Sequence, residues 1–297
     1  MAVLCLGEAL VDLVCERPIA SLAEADAFVP HPGGAMANVA VTAARFGARV
    51  SLAGGAGDDA FGVWLRDRLA GEGVDLEWFT LVEGAPTPVA FVAVDGGGEP
   101  SFLIYGAGIH AAVEAAAAVL PEAVEACDAL VFASNTLVEE AEREATLAAR
   151  SRALELGRPV LFDPNLRLHR WENPGRAASV ARECVPGAFL VKCNRAEAEL
   201  LTGEADPDRA AAGLVAAGAQ HVVITLGAGG AILRGALRAS APGVPADVVN
   251  ATGAGDAFFG VLIARLAGSA FYGASLAAAL PEAAREAARA TERWGAL

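Results

Sequence analysis

The chain has 297 residues, 55% of them hydrophobic, and its 22 Lys and Arg stand against 36 Asp and Glu for a formal net charge of −14. That length suffices for a large α/β unit with a sizeable core, and the apolar content lies far above that of disordered chains. A scattered minority of cations excludes general binding to nucleic acid or an anionic membrane surface, both of which need clustered Lys and Arg.

The 5 cysteines are odd in number and form no C-x-x-C pair, which excludes a disulfide framework and a zinc site and fits a reducing cytoplasm. The opening MAVLCLGEALVDLV has no cationic start and carries Glu8 and Asp12 within its apolar run, unlike a secretory signal.

Taken in chain order, VLCLG at Val3 predicts a first strand, and Val11 to Val29 is extended in character with no helical repeat long enough for a crossover. HPGGAMANVAVTAARFG leads into a helix, RVSLAGG into a second strand ending near Gly57, and DAFGVWLRDRLAGEG into another amphipathic helix. VAFVAVD and SFLIY flank Gly96, Gly97, Gly98, Glu99 and Pro100, the pattern of a β-hairpin. Ala111 to Ala126 predicts an Ala-rich helix broken near Pro121. Strands then recur at ALVFASN, PVLFDPN, FLVKCN and HVVITLG, with helical stretches such as EEAEREATLAARSRALELG between them. Phe258 to Leu280 holds Arg265 as its single charge, but Gly268, Ser269 and Gly273 interrupt it, so it predicts a buried helix, a break and the start of a second helix rather than a membrane span.

Alternating strands and helices predict a mostly parallel sheet covered on both faces. The two irregular stretches, about 11–32 and 87–106, could form a small sheet standing off the main one as a flap that excludes water from a reacting centre. Nothing divides residues 1–297 into independent halves, so one domain is expected.

VVNATGAGDAFFG carries the sharpest chemical signal. Thr252 is placed to cap a helix, and the amides of Gly253, Ala254 and Gly255 would lie at its positive end as an anion hole. Asp256 falls in the first turn, where it can orient or accept a proton beside a bound phosphate. In HPGGAMANVAV, Gly33 and Gly34 permit close backbone approach, and Asn38 can donate to and accept from sugar hydroxyls. Asp12, emerging from the first strand at the carboxyl end of the sheet, suits a polyol. ITLGAGGAIL resembles a phosphate-binding turn without the Lys of a P-loop, and no strand leads into a dinucleotide fingerprint.

The order of these pieces resembles the ribokinase-like, or PfkB, family of carbohydrate kinases along nearly the whole chain. PGGAMANVAVTAARFG with AGGAGDDAFG is similar to that family's first signature, and NATGAGDAF to its second. The resemblance implies a three-layer α/β/α ribokinase-like fold with a β lid, and an ATP-dependent sugar kinase using Mg²⁺. It implies Asp256 as catalytic base, Gly253, Ala254 and Gly255 as the anion hole, and Asp12, Gly34 and Asn38, with Gly33 beside them, as sugar contacts. VKCNRAE matches an N-x-x-E element, giving Asn194 and Glu197 to the metal and phosphates through water. Thr225, Gly227 and Gly230 match the nucleotide-binding turn. DPNLRLHRW resembles an element of fructokinases and 2-keto-3-deoxygluconate kinases, making Arg167 a partner for a phosphate or a substrate carboxylate.

Two positions depart from the family pattern. Asn250 stands where many members carry Asp at a site tied to monovalent cations, so the resemblance does not decide K⁺ activation. Tyr105 is followed by GAGIH, where fructokinase-like chains often carry an Arg. The expected substrate is a ketohexose such as fructose, with 2-keto-3-deoxy sugar acids and nucleosides as alternatives and a non-catalytic sugar-binding regulator of the same fold as a further one. Pairing of two copies through the lid edge is the expected assembly.

Overall fold

The computed structural model describes residues 1–297, the side chain of Ala107 excepted. Nine strands form the main sheet: β1 (Ala2–Leu6), β4 (Arg49–Gly57), β5 (Phe79–Val82), β8 (Ala129–Ala133), β9 (Val160–Asp163), β10 (Leu190–Asn194), β11 (His221–Thr225), β12 (Ala231–Gly235) and β13 (Ala239–Ala241), in the order β13-β12-β11-β10-β9-β8-β1-β4-β5. Pairing is parallel from β11 through β5, while β12 and β13 each run antiparallel to their inner neighbour.

Side-chain alternation along the buried strands divides the core in two. Val3 and Cys5 of β1 face a cluster that includes Val39, Val261 and Leu262, whereas Leu4 and Leu6 face one that includes Val124, Val180 and Leu214. The first layer comprises α1 (Ala35–Arg45), α2 (Ala60–Gly71), α8 (Ala254–Gly268) and α9 (Ala274–Ala290). The second comprises α3 (Ala107–Ala126), α4 (Glu140–Glu155), α5 (Pro174–Glu183), α6 (Arg195–Thr202) and α7 (Pro207–Ala216). Phe132 and Phe162, neighbours on β8 and β9, are fully buried with ring centroids 4.9 Å apart. Each such ring contributes roughly 1.5–3 kcal/mol through burial.

The second sheet has the order β3-β2-β6-β7, built from β2 (Leu10–Val14), β3 (Val29–Gly33), β6 (Val89–Val94) and β7 (Pro100–Tyr105). Its central pair β2 and β6 is parallel and both edge pairs are antiparallel. Val14, Val92 and Val94 form a small apolar cluster of their own, against which Phe102 and Trp294 pack. This gives the lid a separate core.

One local expectation changes and another holds. α3 runs unbroken from Ala107 to Ala126 with Pro121 inside it, because Val113, Ala116, Leu120, Ala123 and Val124 are all buried along one face. Packing there outweighs the lost hydrogen bond. At the other end of the chain, α8 and α9 are separated at Ser269–Gly273 as expected, with Ala270 and Phe271 at φ of 53° and 58°. Among the described residues no helix is long and apolar enough to cross a membrane.

Candidate active site

Five parallel strands ending on one edge of the sheet bring together residues that are remote in sequence, as open α/β sheets do. Glu8 follows β1, Asn135 follows β8, Asp163 ends β9, Asn194 ends β10 and Thr225 ends β11. They line a cavity of about 590 Å³, closed on the lid side by Asp12, Ala90, Phe102 and Ile104. Asp12, Gly34, Asn38, Arg167, Asn194, Glu197, Thr225, Gly227, Gly253, Gly255 and Asp256 all border it.

Asp256 stands in the first turn of α8. Asn38 Nδ2 donates to its Oδ2 at 2.9 Å, and Asn165 Nδ2 lies 3.4 Å from its Oδ1. Burial pushes the Asp256 carboxyl up to about 6, although Asn38, Lys192 and Arg167 all favour its charge. Asp12 is pushed up to about 7, first by burial and then by the neighbouring Asp256 charge, with Arg167 opposing. Two carboxyls in one desolvated cavity thus titrate well above the usual range.

α8 begins with Gly253 at φ 79°, and among the described residues the N–H groups of Gly253 and Gly255 have no protein partner. The Ala254 N–H is weakly engaged by the Ala251 carbonyl at 3.4 Å. Thr252 does not cap the helix, contrary to expectation. Asn250 Oδ1 accepts from both Thr252 N at 2.9 Å and Thr252 Oγ1 at 2.6 Å, leaving the helix-end amides open to an anion. Asn250 is fully buried and its Nδ2 is unpartnered. An amide donor at that point offers a cation less than a carboxylate would.

Asp12 belongs to lid strand β2, paired with His31 and Ala90, rather than to the end of β1. Gly33 does not border the cavity: a Cβ there would collide with the Asp12 carboxylate, so this glycine makes room for Asp12. Gly34, at φ 101°, packs so closely on the Glu8 carbonyl that only glycine fits.

Glu197 and Asn194 close the start of α6 as a reciprocal cap: Asn194 N donates to Glu197 Oε2 and Glu197 N to Asn194 Oδ1, each at 2.9 Å. Leu166 N donates to the other Glu197 oxygen at 2.9 Å. Burial, then Asp163, raises the Glu197 carboxyl above its ordinary range. Each oxygen therefore holds one amide and keeps a second acceptor position. Among the described residues no three His, Cys, Asp or Glu side chains form a metal cage.

Three residues that the sequence reading passed over belong to this site. Lys192, in the buried strand β10, pairs with Asp163 at 2.8 Å, and its Nζ lies under Gly255. Burial works against the ammonium, yet Asp163 and Glu197 together hold its pKa above the ordinary value. Asn165, at φ 38°, turns the chain toward Asp256. A lysine inside an apolar strand and the Asp-Pro-Asn run were the available signals.

A second cavity of about 600 Å³ shares Thr225, Gly227, Ala251 and Gly255 with the first. Gly230, Val244, Pro245, Ala287 and Ala288 give it an apolar lining. A polar chamber with a buried acid, an open helix N-terminus and an adjoining apolar slot is the layout of a small-molecule phosphotransferase.

Comparison with known proteins agrees. The model of the family described as pfkB family carbohydrate kinase matches residues 2–296, and the chain belongs to this family. It is 35% identical over 266 residues to fructokinase-1 of Oryza sativa subsp. japonica, covering 89% of this chain and 82% of the relative. Fructokinase-2 of Solanum lycopersicum is 32% identical over 262 residues, covering 88% and 80%. Among solved structures, fructokinase from Vibrio cholerae O395, in a fructose, ADP and calcium ion bound form, matches with a TM-score of 0.86 at 29% identity, covering 99% of this chain and 94% of that one. Aminoimidazole riboside kinase from Salmonella enterica, complexed with aminoimidazole riboside and an ATP analog, matches with a TM-score of 0.84 at 30% identity, covering 100% and 95%.

Proposed function

We propose that the protein transfers the γ-phosphate of ATP to a hydroxyl of a ketohexose, fructose first among them. The observation that carries this is Asp256, held by Asn38 and Asn165 in the first turn of a helix whose end amides are open. The relatives named above point to the same chemistry.

In this reading the sugar lies in the polar chamber against Asp12, Gly34 and Asn38, and the nucleotide base lies in the apolar slot near Gly230. Asp256 accepts the proton of the attacking hydroxyl as its oxygen bonds to the γ-phosphorus. The bond from that phosphorus to the β-phosphate oxygen breaks, and ADP leaves. A base titrating near 6 is largely ionised at neutral pH yet not far from the matching range. Amides at Gly253 and Gly255, Arg167 and Lys192 offset the charge of the transferring group. Thr225 and Gly227 border both cavities, where the phosphate chain would cross.

A divalent ion arriving with the nucleotide suits the remaining acceptor positions of Glu197 and Asn194, reached through water, better than it suits a protein cage. Mg²⁺ held in this way would neutralise phosphate charge. Without an arginine after Tyr105, cationic contacts come instead from Arg167 and Arg170 after β9. The lid's edge strand β7 leaves Leu103 49% and Tyr105 60% exposed, a surface that a second copy of the chain would cover.

The test is ADP release from Mg·ATP with ketohexoses, aldoses, 2-keto-3-deoxy acids, polyols and nucleosides, run beside Asp256→Asn. Turnover with fructose that is lost in the variant supports the proposal. Silence with every acceptor overturns it. Sedimentation at several concentrations reads the dimer, and loss of association in Tyr105→Glu would assign it to the lid.

A further inference from the structure

Two buried oxygens in the polar chamber have no partner and no part in the chemistry described so far. Glu8 is 2% exposed and Asn135 6% exposed, and both border the cavity. Asn135 Nδ2 donates to Glu8 Oε1 at 2.7 Å, and the Ala35 N–H at the start of α1 approaches the same oxygen at 3.4 Å. Glu8 Oε2 and Asn135 Oδ1 remain unpartnered. The Arg170 guanidinium reaches only the Asn135 main-chain oxygen, at 3.3 Å.

An unpaired buried acceptor is costly, and the cost is recovered only when something supplies a proton donor. Here one of the two Asn135 Nδ2 hydrogens is committed to Glu8, and the two atoms of the pair left without any partner are both acceptors. Glu8 is also close enough to Asp12 for its charge to oppose ionisation there. A carboxylate ligand would meet that same acidic surface.

We propose that Glu8, aligned by Asn135, is a specificity-determining residue that accepts a hydrogen bond from a substrate hydroxyl remote from the reacting one. It would select a fully hydroxylated neutral sugar over deoxy sugars and sugar acids. The proposal rests on the sugar-kinase reading above and deepens it. A site built to bind a hydroxyl rejects the analogue lacking it far more strongly than an apolar pocket rejects a missing methylene.

The experiment compares wild type, Glu8→Gln and Asn135→Ala with fructose and with each singly deoxygenated fructose. KM and kcat are measured, and thermal stabilisation by each sugar is read without ATP. The expected result is a KM for fructose raised about 10-fold or more in both variants, with kcat within about threefold of wild type. With one deoxyfructose, poor in wild type, the variants should lose little further, because the hydroxyl they read is already missing. Stabilisation by ATP unchanged from wild type would establish that both variants are folded. An unchanged fructose KM, or an equal loss with every analogue, overturns the proposal and assigns the pair a structural role. If wild type turns over no sugar but is stabilised by one, and Glu8→Gln abolishes that stabilisation, the kinase reading falls while Glu8 keeps its role. If no sugar is turned over or stabilises wild type, both fall.

Discussion

Asn38 Nδ2 donates to Asp256 Oδ2 at 2.9 Å across 218 residues of sequence. This one bond joins α1, beside the lid, to α8, which presents the open amides. It also lowers the pKa of a carboxyl that burial drives upward.

Asp256→Asn is expected to reduce kcat by about 10²- to 10⁴-fold, the usual contribution of a positioned base. Asn38→Ala removes the bond that favours the charged form, so the acid limb of its pH-rate profile should move to higher pH. Its loss of activity relative to wild type will be greater at pH 6 than at pH 8. A parallel loss at both pH values would refute the coupling.

Asp12 and Asp256 carry folded-state pKa values of about 7 and about 6, against an ordinary 3.8. Below the ordinary value both folded and unfolded chains are protonated, and neither group affects stability. As pH rises through the window from about 4 to 7, the unfolded chain ionises first, so stability is lost. Asp12→Asn should therefore raise Tm at pH 8, where the penalty is fully present, and leave it unchanged near pH 3.5. Thermal unfolding at the two pH values tests the sign.

A Cβ at Gly253 would lie 2.6 Å from the Ala296 Cβ and 2.8 Å from its Cα, besides straining a backbone at φ 79°. Gly253→Ala should cost about 1–3 kcal/mol from the strained backbone alone, and displace the helix-end amides, lowering kcat. Gly47→Ala, at φ 89° with nothing within 4 Å, supplies the control: similar strain, unaltered turnover. Denaturant titration beside kinetics separates the two effects.

Lys192 and Asp163 form a buried pair at 2.8 Å with side chains 5% and 1% exposed. Lys192→Met alone strands a buried carboxylate and should cost about 3–5 kcal/mol. The Asp163→Asn, Lys192→Met double variant should recover much of that stability while remaining inactive. A double variant that is no more stable than Lys192→Met, by denaturant titration, would show that the stranded carboxylate is not the source of the cost.

Ala287 lines the apolar slot and not the polar chamber. Ala287→Leu should raise the KM for ATP severalfold and leave stabilisation by sugar unchanged. Equal effects on both ligands would mean that the slot does not hold the base.

Hydrophobic periodicity was enough to read most of the main sheet, because strands buried on both faces are continuous apolar runs and their crossover helices are amphipathic. Gly253 to Asp256 and Gly34 to Asn38 were legible for a different reason: close backbone approach restricts the residue to glycine, and the polar group must follow at a fixed helical offset. Sequence alone placed Asp12 both at the end of the first strand and within the lid stretch 11–32, and only the pairing of its strand with Val29–Gly33 and Val89–Val94 decides for the lid. It could not predict that Pro121 would be carried within one helix, where buried contacts on the neighbouring turns decide the outcome. Lys192, Asn165 and the Glu8–Asn135 pair acquire their chemistry from partners about 29 to 127 residues away. What the tertiary structure alone decided was which polar groups are desolvated together, because burial and unpaired acceptors exist only once separate strand ends share one edge of the sheet.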